Sequence, residues 1–234
     1  MIAIPTIYKC PNCQSLISGQ DYRSGNTING ISYSDTYIKA PMKIPDSAGY
    51  IGCANCKNVY AKRNLEIMKQ FEDHYDKNIS REEQEKNRRE ELKEWASNHN
   101  TLPEFEMIKI LLEDPKFGSE YQKPFALYYL WYFNHELKQE EKKGEVENGN
   151  YKKYTDKLIL ILGSEKDSEN SKVLKAEVLR ERGEFDEAEE ALDFVDPSKF
   201  VTQKIKYVFE EAKKKIAQKD SEIFEADQKP EFIK

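Results

Sequence analysis

Two cysteine pairs are the residues whose types and spacing could do chemistry. They read Tyr8-Lys9-Cys10-Pro11-Asn12-Cys13-Gln14 and Ile51-Gly52-Cys53-Ala54-Asn55-Cys56-Lys57, and they hold all 4 cysteines of the 234-residue chain. Two residues between thiols let one tight turn aim both sulfurs at a single ion, with backbone amides left over to hydrogen-bond those sulfurs. Two such knuckles predict a tetrahedral four-thiolate shell of Cys10, Cys13, Cys53 and Cys56, and soft donors in that geometry select Zn²⁺ among common metals. A closed shell leaves no open position for substrate, so the expected role is structural, with one zinc per chain. The 39 residues between Cys13 and Cys53 exceed the roughly 15 to 20 of a minimal zinc ribbon, but the insert carries a hairpin signal of its own. Two other readings stand beside this one. Four unligated thiols could pack as small apolar groups. Cys10-Pro11-Asn12-Cys13 also has the form of a redox dithiol, although that chemistry needs a strand before it and a helix after it, and Gln14 to Gly30 is rich in Gly, Ser and Asn.

The elements that must position the thiols change character near residue 64. Residues 1 to 64 carry a formal charge of +4 and the remainder −10, within a total of −6. The first glutamate is Glu66, every Phe and Trp lies beyond residue 64, and the first segment holds 5 of the 10 Gly and 4 of the 9 Pro. That is the composition of turns and short strands. Asn29-Gly30 between Thr27-Ile28 and Ile31-Ser32 predicts a tight hairpin, and Tyr37-Ile38-Lys39-Ala40 predicts a second strand. About 60 residues without Phe or Trp bury little apolar surface, and a structural metal supplies the missing ~10 kcal/mol or more.

Beyond Leu65 the pattern reads as helical. Leu65, Met68 and Tyr75 can share one helix face, and Ser80-x-x-Glu83 is a capping box opening a charged, solvated helix to Trp95. Thr101-x-x-Glu104, with Pro103 in the first turn, predicts a second box before the apolar stripe Phe105, Ile108, Leu111 and Leu112, stopped by Asp114-Pro115 and Gly118. The run Phe125 to Phe133 is apolar all round, so periodicity alone leaves a buried helix or a buried strand open; its helical neighbours and the continuation from His135 to Glu140 favour a central helix. A polar linker is expected over Lys142 to Asn150, followed by helices near 151–162, 169–182, 184–195 and 197–217. Gly163 and Gly183 serve as stops, and a tail from about Asp220 is loosely held or docks on a groove.

The segment Lys175 to Leu192 resembles a tetratricopeptide repeat (TPR). Small Ala176 lets paired helices approach, Leu179 packs between them, Gly183 makes the turn, and Phe185, Ala188 and Leu192 face back across the pair. Lys172 stands where the repeat has an aromatic, Pro197 comes about three residues early, and one copy is legible where solenoids need about three; an ordinary helical hairpin is the competing reading. The two Cys-x-x-Cys knuckles, Ser24-Gly25-Asn26-Thr27, Ser34-Asp35, Ala40-Pro41-Met42, Trp131-Tyr132-Phe133-Asn134 and this hairpin together resemble a group of uncharacterised bacterial proteins. Those pair an N-terminal zinc-ribbon-like module with a C-terminal TPR-like region. The fold expected is therefore a small β-rich zinc-ribbon-like module over 1–64, an all-α, helical-hairpin (TPR-like) domain over 65–219 with the hairpin near 169–195, and a tail over 220–234.

No catalytic constellation is legible. His74, His99 and His135 stand apart from one another and from the cysteines, phosphate-loop signatures are absent, and pairs such as Asp186-Glu187 and Glu189-Glu190 arise by composition in a chain with 43 acids. The longest apolar run is half of the ~18 residues needed to span a bilayer, and the N-terminus has no signal-peptide pattern, so the expected address is the cytoplasm, with reduced thiols. The function expected is a non-enzymatic, zinc-binding scaffold for protein–protein interaction. The alternative is single-strand nucleic-acid binding through the zinc module, with Tyr8, Tyr33, Tyr37 and Tyr60 as stacking platforms. Four thiolates on Zn²⁺ reduce the +4 of that module to about +2, and the acidic remainder repels phosphate.

Overall fold

The structure is a computed structural model that describes residues 2–25, 30–40, 49–71, 80–97, 100–115, 119–165 and 168–226. Among these, seven strands precede the helices: β1 (Ile2–Lys9), β2 (Leu16–Ser24), β3 (Ile31–Ser32), β4 (Ile38–Lys39), β5 (Tyr50–Gly52), β6 (Val59–Ala61) and β7 (Glu66–Gln70). Eight helices follow: α1 (Arg81–Ser97), α2 (Glu104–Glu113), α3 (Ser119–His135), α4 (Gln139–Glu147), α5 (Asn150–Ser164), α6 (Glu169–Glu181), α7 (Phe185–Asp193) and α8 (Gln203–Ala217). Backbone contacts divide the chain into unit 1, Met1–Asn26 with Met42–Lys116, and unit 2, Thr27–Pro41 with Phe117–Lys234. The composition change at residue 64 thus falls inside unit 1.

In unit 1 the antiparallel sheet runs in the order β2-β1-β7, with β1 and β2 paired from Ile2↔Ser24 to Lys9↔Leu16. A second ribbon pairs β5 with β6. Leu65 and Met68 do not start a helix. Residues 66–70 form β7, because the open edge of β1 offers backbone partners from Thr6↔Gln70 to Lys9↔Glu66, and all five side chains stay exposed, leaving no apolar face that would favour a helix. Tyr75 and His74 lie outside the described residues.

Of the box expected at Ser80, the cap itself forms: the Ser80 hydroxyl accepts the Glu83 N–H at 3.2 Å. The one expected at Thr101 does not. Thr101 bridges to Cys53 as a strand would, and its hydroxyl donates to the Ser18 carbonyl at 2.5 Å, so α2 begins directly after Pro103 without a side-chain cap. Phe105, Ile108, Leu111 and Leu112 are buried as the stripe requires, and Asp114 ends the helix. Leu102 also donates its N–H to the Gly52 carbonyl at 2.9 Å, lying so close that a Cβ on Gly52 would sit 2.7 Å from Leu102 Cδ1.

In unit 2 the apolar run is indeed helical, with Phe125, Ala126, Tyr129, Leu130 and Phe133 buried in α3. The expected linker at 142–150 is largely helix α4, because the Glu141 carboxylate accepts the Lys138 N–H at 2.9 Å and Tyr129 donates to Glu145 at 2.8 Å. Gly163 lies within α5 instead of ending it. Gly183 does end α6, at φ 77°, with its N–H on the Arg180 carbonyl at 2.9 Å. The helix expected over 197–217 splits into a 3-10 turn, Pro197–Lys199, and α8, whose start is fixed by Thr202 accepting the Ile205 N–H at 3.3 Å. Ala176, Leu179, Ala188 and Leu192 share one core with Val208, Phe209, Ala212 and Ile216 of α8. Among the described residues no helix is long and apolar enough to cross a membrane.

The hairpin in unit 2 turns at Ser34-Asp35-Thr36, with Thr36 at φ 69° and β3 paired to β4; Thr27, Ile28 and Asn29 lie outside the described residues. Asp35 is buried, and it explains the tight turn. Its carboxylate accepts the Tyr37 N–H at 3.1 Å, the Asn134 amide at 3.1 Å and a bond with His135 Nε2 at 2.9 Å, while its carbonyl accepts the Trp131 indole N–H at 2.7 Å. His135 is therefore not alone. Asn134 also donates to one oxygen of Glu181 at 2.9 Å, and the other Glu181 oxygen is buried without a partner. Burial, then the charges of Asp35 and Glu177, push the Glu181 carboxyl well above the usual carboxylate range. A group raised in the folded state binds more protons folded than unfolded, so it lowers stability as pH rises above about 4.5. Glu181→Gln is expected to melt higher than the parent by roughly 2 °C or more at neutral pH and to converge with it near pH 4. Thermal melts of both proteins from pH 4 to 8 check this, and parallel curves contradict it.

Candidate metal centre

Each knuckle is the turn of a hairpin: Cys10 follows the last residue of β1 and Cys53 the last residue of β5. The two turns are built alike. Cys10 and Cys53 accept, through their carbonyls, the N–H groups of Gln14 and Lys57 at 2.9 Å, and they donate to the carbonyls of Ser15 and Asn58 at 2.8 and 2.9 Å. The residue after the second cysteine, Gln14 or Lys57, is left-handed at φ 61° or 58°. That conformation favours glycine and disfavours β-branched side chains. Lys57→Val is accordingly expected to cost about 1 to 2 kcal/mol, whereas Lys57→Gly is expected to be neutral or slightly stabilising. The Lys57 side chain is exposed, so chemical denaturation of the two variants isolates the backbone effect.

All four sulfurs lie within 4.8 Å of one another. Across the knuckles, Cys10 approaches Cys56 and Cys13 approaches Cys53, each pair at 3.6 Å. These separations exceed any disulfide, and all four cysteines are free. Cys10 and Cys53 are buried in a small core with Tyr8, Ile17 and Ile51, while Cys13 faces solvent. The four residues singled out by spacing are thus brought together, and they could hold a metal ion.

Neutral donors surround the sulfurs. The Ser15 hydroxyl lies 2.9 Å from Cys13 and 3.3 Å from Cys53, and the Tyr60 hydroxyl 3.6 Å from Cys10 and 3.8 Å from Cys56. Ser15, through its hydroxyl and backbone N–H, draws the Cys13 thiol below its ordinary value. Burial pushes the Cys53 thiol up. Burial opposes ionisation of Cys56 too, but the Asn58 N–H, the Asn12 side chain and the Tyr60 hydroxyl outweigh it and bring this thiol down to about 6. A thiol so placed is largely thiolate at neutral pH, the form that ligates metals. Sequence reading missed Ser15, although its place two residues beyond Cys13 is the available signal. Tyr60 was expected on a stacking platform; its hydroxyl instead faces sulfur. Of the other tyrosines, Tyr8 is 1% exposed and donates to Asp21, Tyr37 stacks on His135 with centroids 4.3 Å apart, and Tyr33 packs against it at a tilt with centroids 4.6 Å apart.

Comparison with protein families, with curated proteins and with solved structures finds no match to this chain.

Proposed function

We propose that this chain is a non-enzymatic zinc protein of the cytoplasm, in which one structural Zn²⁺ on Cys10, Cys13, Cys53 and Cys56 organises a ribbon-like module joined to a TPR-like helical scaffold for a protein partner. The clustering of the four sulfurs within 4.8 Å carries the metal half. Four Zn–S arms of about 2.3 Å set sulfurs about 3.8 Å apart in a regular tetrahedron, and the 3.6 Å pairs match that spacing with little adjustment. Four thiolates on Zn²⁺ leave a net −2, which the hydroxyls of Ser15 and Tyr60 and the knuckle amides offset by hydrogen bonding to sulfur.

For the scaffold half, the support is the shared core of α6, α7 and α8 and the apolar side chains left on its outside. Phe194 and Val201, on either side of the 3-10 turn, are 68% and 85% exposed. Affinity capture with the intact chain, run beside a Phe194→Glu/Val201→Glu variant, tests it: a partner held by the parent and lost by the variant supports the scaffold. Capture that is unchanged by the variant, with tight binding to single-stranded oligonucleotides at low salt, would favour the nucleic-acid alternative instead.

A further inference from the structure

The four sulfurs are held unequally. Cys10 and Cys53, each 0% exposed, lie in the core with Tyr8, Ile17 and Ile51, and Cys56 packs against that core beside Tyr60 and Leu65. Cys13 is the one of the four outside it, and the one that faces solvent. Its neighbours Pro11, Asn12 and Gln14 are exposed as well.

The backbone differs between the knuckles in the same sense. The second is braced from outside its own turn: Ala54 donates to the Asn100 carbonyl at 2.9 Å, and Cys53 bridges to Thr101. Among the described residues, the backbone bonds of the first knuckle stay within residues 10–15, from Cys10 to the Ser15 carbonyl at 2.8 Å and from Gln14 to the Cys10 carbonyl at 2.9 Å. The Asn12 side chain does reach across, but to Cys56. Apart from the other sulfurs, the polar partner of the Cys13 sulfur is the Ser15 hydroxyl at 2.9 Å, two residues along the same turn. A segment with few buried apolar contacts and only local hydrogen bonds opens at the lowest cost. Withdrawing Cys10, Cys53 or Cys56 disturbs the core, whereas withdrawing Cys13 does not.

We infer that Cys13 is the exchangeable arm of the metal centre: an external thiolate takes its place on the metal while Cys10, Cys53 and Cys56 stay bound, and metal enters and leaves at this position. The inference rests on the reading of the four cysteines as ligands of one soft metal ion. In the exchange one metal–sulfur bond forms to the incoming thiol, which gives its proton to solvent. One breaks at Cys13, whose thiolate takes a proton up, and nothing is oxidised or reduced. A thiolate suits the vacated position because the three remaining donors select a soft-ligand metal.

Cobalt(II) titration of the intact chain tests this, because thiolate-to-cobalt charge-transfer absorption grows with the number of bound sulfurs. The parent is expected to give a four-sulfur band. Cys13→Gly is expected to bind one cobalt with a weaker, three-sulfur band and to recover the full band when 2-mercaptoethanol is added. Cys10→Gly and Cys53→Gly are expected to take up no cobalt, with or without the thiol, because an external sulfur cannot reach a buried position. A parent without any thiolate–cobalt band overturns the metal reading and this inference with it. A parent with the band overturns the inference alone if Cys13→Gly takes up no cobalt, if the thiol leaves the Cys13→Gly band unchanged, or if the thiol rescues Cys53→Gly equally well. Should the glycine disturb the turn, Cys13→Ala, which keeps the Cβ, decides by the same comparison.

Discussion

Cys53→Ser is expected to empty the metal centre and unfold the ribbons that carry it. Cys53 stands at the junction of three supports: its sulfur pairs with Cys13 at 3.6 Å, its backbone bridges to Thr101, and its N–H holds the knuckle through the Asn58 carbonyl at 2.9 Å. Serine keeps the size but replaces a soft thiolate by a neutral hydroxyl that is a poor ligand for a soft-donor site. Among the described residues the buried members of the apolar cluster around it are Tyr8, Cys10, Ile17, Ile51 and Cys53, with Cys56, Tyr60 and Leu65 packed against them, a small core to oppose the chain entropy of these hairpins. Structural zinc supplies about 10 kcal/mol or more of folding free energy in small modules, and that exceeds what such a cluster contributes. Amide exchange of β1, β2, β5 and β6 should therefore become fast in the variant, while α6, α7 and α8 keep their protection. A chelator applied to the parent should give the same pattern, reversed by adding zinc.

Arg180→Ala is the second change with a large expected effect. Arg180 is 0% exposed and bonds both oxygens of Glu177, at 3.0 and 2.9 Å. Its remaining nitrogen donates to the carbonyls of Asp220 and Glu222 at 2.7 and 2.9 Å, and its guanidinium lies over the Phe224 ring, 5.5 Å from the centroid. Removing it strands a fully buried carboxylate and two carbonyls, a loss of about 3 to 5 kcal/mol by comparison with other broken buried pairs. It should also loosen residues 220–226, whose other ties include the Asp220 pairing with Lys215, the Phe224 ring against Tyr207, the Phe224 carbonyl to Ser34, the Ala226 N–H on the Ser32 carbonyl at 2.7 Å, and the bridge of Glu225 to Tyr33. Glu177→Leu/Arg180→Met should cost clearly less than Arg180→Ala, because no charge is left unpaired. Urea unfolding gives the stabilities and limited proteolysis near residue 220 reads the release. Equal losses in the single and double variants would show that the pair's charge balance is not what matters.

The clustering of the four cysteines was legible because two short, identical spacings need no knowledge of the rest of the chain. The stripe of α2 and the α6 to α7 turn at Gly183 were legible for a similar reason, since periodicity and glycine act locally; the run of α3 is apolar all round, and its helical neighbours rather than its own period favoured a helix. What failed was decided by distant partners. Leu65 and Met68 have helical spacing, but the edge of β1 makes a strand of them. Thr101 has the form of a cap, but the Ser18 carbonyl takes its hydroxyl. The Ser34-Asp35-Thr36 turn sits between the two knuckles in sequence, yet its carboxylate is bound by Asn134 and His135, about a hundred residues on. Arg180 reads as a solvated charge in a helix rich in charges, and only the returning segment 220–226 shows that it is covered.

Metal content and ligand identity test the central claim most directly. Elemental analysis of the intact chain purified without added metal, followed by X-ray absorption at the metal edge, should give about one zinc per chain with four sulfurs at about 2.3 Å. A folded chain free of metal, or a first shell containing nitrogen or oxygen, would contradict the account.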